Sequence, residues 1–209
     1  MLYALVVSVT MLLCWGMAFF NAVFFNRITI LGAFLQPMSI NAYVLVVLGI
    51  TCLLMRLLPS SLWNADKKIY RVSDREIKIY DKLKIKSWKD KIPEMGKLAN
   101  FPKDKIYSTE INYISKFVSE SVFAEYMHAA AGILGFTALL FTKTNQYYFA
   151  IPILVINMIL HVLPCIIQRY NRCRLYKIYD ILRRRENSLV GQSEVTITTE
   201  EKPQTEKSA

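Results

Sequence analysis

The sequence predicts an all-α integral membrane protein. It has four transmembrane helices, a basic cytoplasmic loop subdomain between the second and third, and a basic amphipathic helix after the fourth. Three observations predict this. The chain has 209 residues, of which 54% are hydrophobic and only 20% charged, with a mean hydropathy of +0.28; that is too apolar for a water-soluble domain of this length. Four apolar runs reach or approach the roughly 20 residues that a bilayer crossing needs. The net charge of +10 is also gathered into blocks that flank those runs, as basic residues at membrane-helix ends are.

The first run is Leu2–Phe25, read as a retained helix and not a signal peptide. It lacks a basic leading segment, and "NAVFFN" offers no small-x-small cleavage site. The second is about Met38–Leu58 with Pro37 at its entrance, where a missing N–H costs little. The third is about Ala124–Phe141. The fourth is Tyr147–Ile167, with Pro152 and Pro164 as expected bends.

Residues 1–58 carry only Arg27 and Arg56 as basic residues, whereas the block after Leu58 and the tail after Ile167 are rich in them. The positive-inside rule therefore places both termini and the 59–123 loop in the cytoplasm and the connections at Arg27 and Lys143 outside. The chain divides into 1–58 (two crossings), 59–123 (loop subdomain), 124–168 (two crossings), 169–190 (basic amphipathic helix) and 191–209, a polar tail without periodicity that is expected to be disordered.

Within the loop, Ile77, Ile79, Leu83 and Ile85 alternate with polar residues, a pattern that a hairpin and an interfacial segment share. Further on, Ser108 or Thr109 is placed to cap a helix. That helix shows an apolar stripe at Ile111, Ile114, Phe117, Val118, Ser121 and Val122 and runs directly into the third crossing. Leu175, Ile178, Tyr179 and Leu182 form a similar stripe after the fourth.

The composition argues against nucleic acid as a partner, because every basic block flanks an apolar run. Cys14, Cys52, Cys165 and Cys173 show no metal-ligand spacing and no disulfide framework, so no metal is expected.

Chemistry is concentrated in three places. On one helix, Glu120 at 0° puts His128 at about 80° and Glu125 at about 140°, so the three share a broad face. Glu125 and His128, three residues apart, lie within hydrogen-bonding reach, and a carboxylate that orients an imidazole is the arrangement a general base uses. Solvated carboxylates beside a histidine at headgroup level would show the same spacing. The second place is "QRYNRCR", where Gln168, Arg169, Tyr170, Asn171, Arg172 and Arg174 offer more hydrogen-bonding capacity than anchoring requires. Arg183–Arg185, further on, need nothing beyond attraction to anionic lipid. The third is "SWKDKIP", where Trp88 and Lys89 suit the headgroup layer. His161 and Asn157, one turn apart in the fourth run, fit an interhelical hydrogen bond.

These segments, in this order, resemble the glycosyl-4,4'-diaponeurosporenoate acyltransferases, small membrane enzymes of staphyloxanthin-type carotenoid synthesis. The family pattern Trp-Lys-x-x-(Leu/Ile)-Pro falls on Trp88, Lys89 and Pro93. Glu-(Thr/Ser)-x-x-Ala-Glu-x-x-His falls on Glu120, Ser121, Ala124, Glu125 and His128. Gln-Arg-Tyr-Asn-Arg-Pro-Arg-Leu falls on Gln168 through Leu175, with Cys173 in place of proline. Ala129 also stands where members often have an aromatic. The resemblance covers about Ile77 to Arg185.

It implies a bacterial cell-membrane O-acyltransferase that moves a fatty acyl group from a thioester, acyl-CoA or acyl carrier protein, to a sugar hydroxyl of a membrane glycolipid, with no cofactor. His128 would deprotonate the hydroxyl and Glu125 would orient it, with Glu120 beside them. Arg169, Arg172 and Arg174 would hold a donor phosphate, and Trp88 and Lys89 would help to dock the carrier. No GxSxG-type nucleophile motif is present; Cys165 or Cys173 carrying the acyl group is the covalent alternative. A reading from another class is a non-catalytic membrane subunit that binds anionic lipid or a partner enzyme. The sequence leaves the acceptor, the donor carrier and the oligomeric state open.

Overall fold

The computed structural model describes residues 2–25, 28–92 and 106–200, with backbone alone at 2–4, 6–7 and 190–200. Arg27, Pro93 and the end from Glu201 lie outside the described residues. All regular structure among the described residues is helical: α1 (Leu2–Phe24), α2 (Ile30–Leu57), α3 (Asp74–Lys82), α4 (Ile85–Trp88), α5 (Ile111–Gly135) and α6 (Tyr147–Glu200), joined by short 3-10 turns.

Among the described residues, three helices are long and apolar enough to cross a membrane: Ile30–Leu57, Ile111–Leu140 and Thr144–Leu189. The expectation of four crossings is met only in part, because the apolar stretch of α1 with described side chains, Ser8–Phe24, is shorter. A bilayer is nevertheless the solvent these helices fit. Leu12, Leu13, Phe20, Val23, Leu45, Leu53 and Leu54 are all exposed, an apolar surface that water does not tolerate and lipid does.

Two helix ends differ from the sequence reading. Helix α2 starts two turns earlier than expected, capped by the Thr29 hydroxyl, which accepts from the Gly32 amide at 3.0 Å. Pro37 therefore lies inside the helix and not at its entrance. Helix α5 starts at Ile111 with Glu110 at the cap position; Ser108 does not cap it but takes the Glu110 amide at 3.1 Å. Of the alternating apolar residues, Ile77 and Ile79 lie in α3, Leu83 in the turn that follows, and Ile85 at the start of α4. Ser73 and Glu76 form a reciprocal capping box at the start of α3, which satisfies orphan amides and selects helix over hairpin. The turn to α4 passes through Lys84 at φ 49.

Among the described residues, no separate helix follows the last apolar run. Helix α6 is continuous from Tyr147 to Glu200, with Pro152 and Pro164 inside it, so the basic amphipathic stretch is the far half of one long helix. Its backbone continues into the polar segment that starts at Gly191. Once a helix is formed, each further residue adds a bond without a new nucleus.

The most extensive helix–helix contact is between α5 and α6, which run antiparallel. On α5 the facing residues are Ile114, Val118, Ser121, Glu125, His128, Gly132 and Gly135, spaced alternately four and three apart as in a coiled-coil seam. On α6 they are Tyr179, Leu175, Arg172, Gln168, Cys165, His161 and Asn157. At the loop end the seam is apolar: Ile114, Phe117, Val118 and Val122 pack with Leu175, Tyr176 and Tyr179, joined by Ala65 and Tyr70 of the loop. A second core holds the opposite end of the bundle, from Cys14, Ala18 and Ala33 to Phe149, Ala150 and Leu154.

The loop and the far half of α6 are tied to each other. Tyr176 donates to the Ala65 carbonyl at 3.1 Å, Arg71 grips Asp180 with two bonds of 2.8 Å, and Arg183 pairs with Asp66. Arg183 thus engages protein and is not left to lipid. The two basic blocks consequently lie at the same end of the bundle.

Gly132 and Gly135 set how closely α5 approaches α6. A Cβ at Gly132 would come within 3.0 Å of the Met158 sulfur and 3.1 Å of the His161 Cβ, and one at Gly135 within 2.7 Å of the Asn157 amide. Gly132→Leu forces the helices apart and is expected to cost about 1–3 kcal/mol, read as a lower unfolding midpoint in detergent. Gly49→Leu, at a site with nothing within 4 Å, should leave the midpoint unchanged or raise it.

Candidate active site

The middle of the α5–α6 seam is polar, and this is where two of the three sequence motifs meet. Buried Ser121 donates to the Gln168 carbonyl (3.2 Å) and to its Oε1 (3.0 Å). One turn deeper, the Glu125 carboxylate takes two arginines: Nη1 of Arg169 at 3.2 Å from Oε1, and Nη2 of Arg172 against Oε2. One turn deeper again, Nδ1 of His128 lies 3.0 Å from Nδ1 of His161, with the rings tilted by 47°. The Cys165 thiol closes the same stretch by donating to the Glu125 carbonyl at 3.3 Å.

Lipid-embedded helices gain nothing from hydrophobic attraction to each other, so they associate through small residues and hydrogen bonds. The seam supplies both. Arg172 shows how tightly it closes: the side chain is 0% exposed, and its Nε and Nη1 have no protein partner. Arg169 reaches a second carboxylate through Nε, 2.8 Å from Glu76 of α3. Burial by itself would raise the Glu76 carboxyl, but the Ser73 amide and the Arg169 guanidinium outweigh it, and the group is held below its ordinary range. Arg169 therefore ties α3, α5 and α6 together.

The three residues placed on one broad face of α5 divide between two neighbours. Glu125 and His128 face α6. The Glu120 carboxylate is held by Arg56 of α2 with two bonds of 3.0 Å, and that guanidinium stacks 3.9 Å over Phe123. An arc of about 140° is wider than one helix contact, so its ends meet different helices. Glu125, expected to orient His128, is occupied by the arginines, and His161 stands beside the imidazole.

The remaining candidates lie around this seam. Tyr170 meets Tyr80 of α3 edge-on at 6.1 Å. Asn171 and Cys173 are half-buried, the latter near the Arg169 carbonyl at 3.8 Å. Arg174 is exposed. Trp88 and Lys89 lie at the end of α4, where the indole donates to the Leu83 carbonyl at 3.0 Å and the ammonium pairs with Asp90; neither contact joins them to the seam.

Sequence reasoning missed Arg56 and Glu76. Both left a signal: a lone cation in an apolar run needs a partner, and Ser73-x-x-Glu76 is a capping box that precedes helical spacing. Among the described residues no group of three potential ligands is placed to hold a metal.

The buried ion pair makes a stability test. Glu125→Ala leaves Arg172 buried without its counter-charge and is expected to cost roughly 3–5 kcal/mol. The double variant Glu125→Ala with Arg172→Met should lose less than the two single losses added together. Unfolding of all three in one detergent checks the coupling.

No curated protein and no solved structure gives a match to this chain. Residues 66–181 match the family described as Glycosyl-4,4'-diaponeurosporenoate acyltransferase. That stretch begins at Asp66, which pairs with Arg183, and ends just past Asp180, which pairs with Arg71. It contains α3, α4, all of α5 and the part of α6 that faces it. It covers more than half of the chain and includes the whole polar seam, so this membrane protein belongs to the glycosyl-4,4'-diaponeurosporenoate acyltransferase family.

Proposed function

We propose that the chain transfers a fatty acyl group from a thioester donor to a hydroxyl of a membrane glycolipid, with His128 as general base. The observation that carries this reading is the half-buried imidazole of His128, one edge turned to His161, at the deep end of a polar seam built from two family motifs. A neutral imidazole in a low-dielectric wall suits proton abstraction from an alcohol. The acceptor oxygen attacks the thioester carbonyl and gives its proton to His128. The carbon–sulfur bond breaks as the ester forms, and the departing thiolate takes the proton back. No enzyme nucleophile is required, and the Cys165 thiol is engaged by the Glu125 carbonyl.

Arg169 and Arg172 are committed to Glu76 and Glu125. Their part is to hold the seam, with the unpartnered Nε and Nη1 of Arg172 as its spare donors. A donor phosphate is better served by exposed Arg174 and exposed Lys177, one turn apart on α6. Trp88 and Lys89 suit docking of the donor carrier at the headgroup layer. Both basic blocks at one end of the bundle support a cytoplasmic donor side and a topology with four crossings.

The many satisfied ion pairs also suit a second reading, a non-catalytic subunit that binds anionic lipid or a partner enzyme. One experiment separates the two. Membranes that contain the protein are supplied with labelled acyl-CoA and, in parallel, labelled acyl carrier protein, and lipid-linked label is followed. His128→Ala should lower the rate by about 10²–10⁴-fold. Wild-type transfer by His128→Ala would remove His128 as base, and absence of transfer from either donor by the wild-type protein would favour the subunit reading.

A further inference from the structure

We infer that His161 is the positioning residue of the site: its Nδ1 accepts the Nδ1–H of His128 and thereby fixes His128 in the tautomer that leaves Nε2 unprotonated. This rests on His128 being the base, and it gives the orienting task to a residue that neither the family motifs nor the helical spacing assign.

The geometry leaves few choices. The two Nδ1 atoms are 3.0 Å apart, a hydrogen-bond distance. A neutral imidazole carries one N–H and one bare nitrogen. Two bare nitrogens would face each other with lone pairs, and two N–H groups with like dipoles, so one ring donates and the other accepts. If His161 donates, His128 carries its proton on Nε2 and is no base. If His128 donates, its Nε2 is bare. His161 is buried and packed against Gly132, whereas His128 is only half-buried. The ring able to meet a substrate is therefore His128, and the nitrogen it presents is Nε2, because its Nδ1 edge is turned to α6.

The surroundings explain why a histidine and not a carboxylate takes this place. The neighbouring carboxylate, Glu125, is neutralised by Arg169 and Arg172. A second free carboxylate one turn deeper would be an uncompensated ion at lipid depth. A neutral imidazole supplies an acceptor without that cost. When Nε2 takes a proton, the Nδ1–H bond to His161 becomes charge-assisted and stronger. Two groups support the geometry: Gly132, whose missing side chain admits the His161 Cβ, and Cys165, one turn along α6 from His161.

The chain contains only two histidines, so the tautomers can be read directly. Full-length protein labelled with 15N-histidine in nanodiscs is expected to show one imidazole protonated at Nδ1 and bare at Nε2. Loss of that signal in His128→Ala would assign it to His128. Finding His128 protonated at Nε2 instead would overturn the inference. In the acyl-CoA assay, His161→Leu should lower the rate at saturating donor on the order of 10²-fold with the donor KM unchanged. His161→Asn, whose amide oxygen can stand near the position of Nδ1, should recover most of that loss. An inactive His128→Ala beside a fully active His161→Leu would overturn the positioning role alone. An active His128→Ala would overturn the base reading and this inference with it. Equal inactivity of folded His161→Leu and His161→Asn would exclude an acceptor at Nδ1.

Discussion

The antiparallel seam between α5 and α6 is the constraint on which the rest of the structure depends. Its pairs line up one turn after another: Ser121 with Gln168, Glu125 with Arg169 and Arg172, His128 with His161, Gly132 with Met158 and His161, and Gly135 with Asn157. In water such a face would be solvated and would specify little. At lipid depth each of these groups needs a partner on the other helix, so a slip of one residue would break every pair together. The loop is tied to the same two helices. Glu76 brings α3 to Arg169, and Ala65, Asp66 and Arg71 bring the preceding segment to Tyr176, Arg183 and Asp180.

Much of this was legible in the sequence, for particular reasons. The apolar stripe from Ile111 to Val122 announced one face of α5, and Leu175, Tyr179 and Leu182 announced the matching face of α6. The stripe became invisible at Glu125, where the same spacing continues in polar residues that hydrophobic periodicity does not register. The family motifs marked those polar positions without showing that they face one another. The direction of Glu125 was not legible, because a carboxylate three residues from a histidine and one turn from two arginines on another helix has two possible partners. The arginines win: two ion pairs outweigh a single hydrogen bond from an uncharged imidazole to the same carboxylate. The start of α2 was missed because Pro37 looks like an entrance, whereas the true cap is Thr29, about two turns upstream of the expected boundary.

The seam also divides its polar groups by function. Arg172, wholly buried and paired with Glu125, is placed to hold helices together. Removing its partner would leave a charge that lipid cannot solvate. The histidine pair lies one turn deeper, where His161 is buried and His128 only half-buried. Ion pairs that fix the geometry thus stand beside the histidine pair on which the proposed acyl transfer rests. Glu120 belongs to a different structural task. Its carboxylate is gripped by Arg56 on the opposite flank of α5 and joins α2 to the bundle near the same level as the Ser121–Gln168 contact.

The central claim is that this seam serves acyl transfer to a membrane lipid. The most direct measurement is a comparison of the complete lipid profile of cells with the gene, without it, and with it restored. The account predicts that deletion removes one class of glycolipid, that the same lipid short of one acyl chain accumulates, and that restoration reverses both changes. An unchanged lipid profile, or a change that no single acyl chain accounts for, would contradict it.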